Sequence, residues 1–132
     1  MKNEKEYIKT GFNNLDEALG GGLKKGELTL LAARPGFGKT SFATNILINS
    51  TLNNGIKSIF FSIEMPKEQL ESRILSLLSN IDLKRVNDNE LSDNDLNAIA
   101  HAKDVLVQKN IIIDDSLTVN DEDVLIRCEK IK

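Results

Sequence analysis

"LLAARPGFGKT", Leu30 to Thr40, is an apolar, strand-like run that breaks into a turn with two glycines and stops on a lysine and a threonine. Behind it, Phe42, Ala43, Ile46 and Leu47 recur at helical spacing, which predicts a helix over about Thr40–Asn53, closed by the turn signal "NNG". A strand that ends in glycines at the start of a helix turns several main-chain N–H groups into one concavity. The positive end of the helix dipole stands directly behind them. Gly36 and Gly38 permit backbone angles and a close approach that a Cβ would obstruct. The arrangement reads as a phosphate cradle, against the plain alternative of an accidental Gly-Lys-Thr turn.

The residue types fit that chemistry. Lys39 is placed to reach β and γ phosphates, and the Thr40 hydroxyl is placed to coordinate the Mg²⁺ that accompanies them. Arg34, Pro35, Phe37 and Ser41 complete the stretch beside the phosphates, with Arg34 and Ser41 in the weaker positions. The general pattern is G-x-x-x-x-G-K-[ST], and here Ala33 replaces its first glycine.

Outward from the cradle, "IKSIFFSIE" is a second strand-like run and "NIIIDDS" a third, so that with "GELTLLAAR" three strands alternate with helices. Pro66 opens a helix whose inward stripe is Leu70, Ile74, Leu77 and Leu78. Ser92 with Asp95, and Thr118 with Asp121, have the spacing of a capping box. Strands separated in this way pair in parallel through right-handed crossovers, which makes the chain α/β. Glu64 closes the second strand at the sheet edge where such folds place ligands. On position alone it is either a base that orients water or a solvated strand-end charge.

At 132 residues, 40% hydrophobic and 28% charged, the composition is that of a globular domain rather than a disordered or membrane chain. No apolar run spans a bilayer, and "MKNEKEYIK" is charged where a secretory signal is apolar, so the expected location is cytoplasmic. A net charge of −3 offers no broad electrostatic surface for nucleic acid. The single cysteine, Cys128, excludes an internal disulfide and reads as a small residue beside the apolar stripe of "VLIRCEKI".

The order "TGF..LD", "GGL..GEL", "AARPGFGKT", "FFSIEMP..QL..R", "LSN.D" and "IIIDDS..T" resembles the RecA-like ATPase domain of DnaB-type hexameric replicative helicases, from about Thr10 onward. The resemblance implies a RecA-like P-loop NTPase fold: a mainly parallel sheet flanked by helices, here without the Walker B strand and the strands after it. Residues 1–9 then read as the end of a linker or a disordered lead-in, and 10–132 as the first part of the domain. Alanine is common in this family at the position of Ala33, and Glu64 in "SIEM" matches its catalytic glutamate. The implied activity is ATP hydrolysis with Mg²⁺, coupled to unwinding DNA by a homohexamer around one strand, with primase and a helicase loader as further partners. Asp114 and Asp115 are read as polar strand-end residues, with the Walker B role as the alternative.

Two other readings stand beside this one. KaiC- or RadA-like ATPases share "LDEALGGGL" ahead of the P-loop but lack "EMP..QL..R". A module that binds nucleotide or a partner without turnover is the non-enzymatic reading. The family's Walker B aspartate, DNA loops and arginine finger are not in these residues, so the chain alone is expected not to hydrolyse ATP at a useful rate.

Overall fold

The structure, a computed structural model, describes residues 6–109, 111–116 and 120–131. It divides into two compact units, residues 1–56 and 57–132.

In the first unit, β1 (Tyr7–Ile8) pairs antiparallel with β2 (Leu23–Lys24), around α1 (Asn13–Ala18). Part of the stretch read as a lead-in is thus ladder. What fastens this segment is a carboxylate. Asp16, 7% exposed, accepts the Thr10 N–H (2.9 Å), the Thr10 hydroxyl (2.7 Å) and the Gly11 N–H (3.3 Å). The Thr10 carbonyl in turn accepts from Asn49 Nδ2 at 3.0 Å, on α2 (Lys39–Asn54), and Phe12 stacks on Phe42 with ring centres 5.1 Å apart. "TGF..LD" is therefore a knot of buried and half-buried hydrogen bonds that ties the lead-in to the helix behind the cradle.

Two expectations for this unit are corrected. The run "GELTLLAAR" forms no strand among the described residues, and Leu28 and Leu30 are 97% and 87% exposed. A run of strand-forming residues becomes a strand only where a neighbouring strand completes its hydrogen bonds. The buried residues of α2 are Thr44, Leu47, Ile48, Ser50 and Thr51, while Phe42, Ala43 and Ile46 are half-buried. Its hydroxyls enter the interior because they are satisfied within the helix, Thr44 by the Thr40 carbonyl (2.7 Å) and Ser50 by that of Leu47 (3.0 Å).

In the second unit, β3 (Ser58–Phe61) and β4 (Ile111–Asp114) pair in parallel, with Ile59 opposite Ile112 and Phe60 opposite Ile113. The crossover between them carries α3 (Lys67–Ser79), α4 (Leu83–Asn87) and α5 (Asp93–Gln108), and α6 (Asp121–Lys130) follows β4. Leu75, Ile81, Ile99 and Ala102 form the core, covered by Leu78, Val86 and Leu106. The inward stripe of α3 is Leu70, Ile74, Leu75 and Leu78, and Leu77 is 46% exposed, one position off the face that α5 covers.

Caps set the boundaries. Pro66 is the N-cap of α3 rather than its first helical residue. Asn80 ends α3 in the left-handed region (φ 57°), and Asp82 then accepts the Lys84 N–H (2.8 Å) to start α4, which accounts for "LSN.D". Ser92 and Asp95 form the expected capping box, reinforced by an ion pair between Asp95 and Arg85. Thr118 lies outside the described residues. α6 begins at Asp121 with Asn120 as its cap, accepting the Asp123 N–H at 2.8 Å. Among the described residues, no helix is long and apolar enough to cross a membrane.

Removing the Asp16 carboxylate strands buried donors, so Asp16→Ala is expected to lower stability by at least about 2 kcal/mol, with Asp16→Asn losing less; urea denaturation checks both. Ser92→Ala should cost about 1 kcal/mol in the same assay. The Ser92 main-chain N–H, helped by Arg85, holds the Asp95 carboxyl below its usual range. A lowered folded-state pKa stabilises above the ordinary carboxylate range and ceases to do so as pH falls through the lowered value. The stability difference between wild type and Asp95→Asn should therefore shrink on acidification in that window.

Candidate phosphate-binding site

The cradle is a turn over Pro35–Gly38 followed at once by α2. Gly36 and Gly38 have φ of 83° and 80°, in the left-handed region, and a Cβ at either would meet open space. The constraint at both positions is therefore backbone conformation. Open space in front of the turn leaves room for a ligand to approach the main chain. The Gly38 carbonyl accepts the first helical bond from the Phe42 N–H (2.9 Å). The N–H groups of Lys39 and Thr40 precede that bond and, as at any helix start, have no partner within the helix.

The helix offers no internal substitute for an anion. α2 has no acidic residue in its first turn and no side chain capping its N-terminus. The other described helices differ: α1 has Asp16 and α3 has Glu68 in the first turn, and side chains of Asp82, Ser92 and Asn120 cap α4, α5 and α6. Lys39 is exposed and Thr40 half-buried. Beside them an open groove of about 460 Å³ is lined by Leu31, Ala33, Phe37, Gly38, Lys39, Ser41, Phe42 and Asn45. These residues fit a phosphate group, with Lys39 as the mobile cation and Thr40 as the hydroxyl.

The structure gathers Arg34, Pro35, Gly36, Phe37, Gly38, Lys39, Thr40 and Ser41 on this one turn and the first turn of α2. Glu64 belongs to the second unit, exposed on the loop between β3 and α3. Asp114 and Asp115, the alternative Walker B residues, are engaged elsewhere. The Asp114 carboxylate pairs with Arg127 of α6 and accepts the Ser116 N–H (3.0 Å). Asp115 accepts the Lys67 N–H at 2.8 Å, at the start of α3. Sequence reading offers these two carboxylates the Walker B role or none, and it does not find the bond to Lys67, since a capping bond across 48 positions leaves no local pattern. Among the described residues, no group of three or more His, Cys, Asp or Glu side chains is arranged to hold a metal.

Residues 7–132 match the family described as the DnaB-like helicase C terminal domain. The chain is 37% identical over 125 residues to the replicative DNA helicase DnaB of Buchnera aphidicola subsp. Schizaphis graminum, covering 94% of this chain and 27% of that protein. It is 34% identical over 126 residues to the replicative DNA helicase DnaB of Haemophilus influenzae, with the same coverage. The chain thus spans about a quarter of the length of these relatives. A solved structure of a protein's ATPase domain superposes with a TM-score of 0.83 over 95% of this chain and 44% of that one, at 24% identity, which supports the RecA-like α/β fold. The chain belongs to the DnaB-like helicase C-terminal domain family.

Proposed function

We propose that the chain is the ATP-binding portion of a replicative DNA helicase. The observation that carries this reading is the start of α2: two glycines with positive φ, exposed Lys39, and no acidic residue in the helix's first turn. Such a terminus favours a polyanion, because main-chain N–H groups and the helix dipole act together with the lysine charge. Lys39 neutralises the β and γ phosphates, and Thr40 supplies a hydroxyl to Mg²⁺, which offsets phosphate charge when bound. Arg34, Pro35, Gly36, Phe37, Gly38 and Ser41 complete the nucleotide contacts. Glu64 is the base that orients and deprotonates the attacking water, a role supported by the family motif "SIEM" around it.

In the helicase this activity drives unwinding of DNA threaded through a homohexamer in the cytoplasm, with primase and a helicase loader as partners. The engagement of Asp114 by Arg127 and Ser116 favours the view that Asp114 orders the fold rather than holding Mg²⁺.

Calorimetric titration of the chain with ATP tests the reading. Binding is expected in the presence of Mg²⁺ and is expected to weaken about ten- to hundredfold in Lys39→Ala, the loss of one charge-assisted contact. Equal affinity of the two proteins would overturn it. Thr40→Ala should reduce the gain that Mg²⁺ gives.

A further inference from the structure

The loop carrying Glu64 is the five residues 62–66 between β3 and α3, of which Ile63 and Glu64 are exposed and Met65 half-buried. Its entry and exit are both fastened. On the entry side, the Ser62 N–H donates to the Asp114 carbonyl at 2.8 Å, carrying the β3–β4 pairing one residue beyond Phe61. The Ser62 hydroxyl then spans the loop and donates to the Met65 carbonyl at 2.6 Å. On the exit side, the Lys67 N–H donates to Asp115 Oδ2 at 2.8 Å. Pro66 has no side-chain acceptor to offer the helix it caps, and the carboxylate comes instead from the end of β4.

We propose that Asp115 is a positioning residue for Glu64. From just beyond β4 it grips the first N–H of α3 and so fixes the far end of the loop, while the adjacent residue fixes the near end. The proposal rests on the reading of Glu64 as the group that orients water. A carboxylate at a helix N-terminus suits this purpose, because the bond is charge-assisted and the helix dipole favours the anion. Phosphoryl transfer depends on positioning, so a base on a five-residue loop needs both ends held. Asp114 does not share the task through its side chain, which Arg127 and Ser116 occupy.

Backbone ¹⁵N relaxation of the nucleotide-free chain tests this. Asp115→Ala is expected to lower the order parameters of Glu64 and Met65 to below about 0.6, with α5 unchanged and ATP affinity unchanged. Asp115→Asn keeps an acceptor oxygen and should restore both. Ser62→Ala, which cuts the other restraint, should lower the same two order parameters and supplies the test should Asp115→Ala unfold. Unchanged order parameters at Glu64 and Met65, a fall confined to the first turn of α3, or failure of Asp115→Asn to rescue would each overturn the proposal. Phosphate release by the full-length helicase carrying Glu64→Gln, measured beside wild type, decides the catalytic reading separately.

Discussion

Main-chain N–H groups at helix starts and tight turns have no partner within their own element, and this constraint organises the chain. Its acidic side chains meet the need repeatedly. Asp16 takes the N–H groups of Thr10 and Gly11, Asp82 that of Lys84, Asp95 that of Ser92, Asp114 that of Ser116 and Asp115 that of Lys67. An excess of three acidic over basic residues in the sequence therefore has an internal use, and it does not imply a cationic partner. α2 stands apart from this scheme. With neither an acid in its first turn nor a capping side chain, it has the kind of terminus at which main-chain N–H groups and the helix dipole favour an anion.

The local devices are legible in the sequence because their physics is short-range. The glycine turn before Lys39, the Ser92–Asp95 box and the isoleucine run of β4 each depend on residues within a few positions of one another. What stays hidden is non-local. The pairing of Tyr7–Ile8 with Leu23–Lys24 is two residues long, below what periodicity detects. The buried face of α2 departs from the apolar pattern because burial there selects threonine and serine, whose hydroxyls bond back to the helix, over some of the apolar residues. "GELTLLAAR" has strand-like composition, but composition supplies no neighbour, and Leu28 and Leu30 face solvent. The candidate site divides in the same way. Residues 34–41 follow from local pattern, whereas the role proposed for Glu64 rests on the motif around it and the bond from Asp115 to Lys67 emerges only from the fold.

Asp114, the last residue of β4, and Asp115, the residue after it, show how one strand end serves two helices. Successive side chains along an extended chain point to opposite sides, so neighbouring carboxylates face different elements. Asp114 meets Arg127 on α6, and Asp115 meets the N-terminus of α3. The Asp114–Arg127 pair is partly solvated, with side chains 18% and 30% exposed, and pairs of that kind contribute about 1 kcal/mol or less. Its effect is directional. The guanidinium also donates to the Ser116 hydroxyl at 3.1 Å, and so grips the chain on both sides of Asp115. With the residues before and after it held, Asp115 has little backbone freedom left, and its bond to Lys67 loses less entropy on forming than a free side chain would. Arg127, some sixty positions further along the chain than Lys67, thereby holds the segment from which Asp115 reaches it.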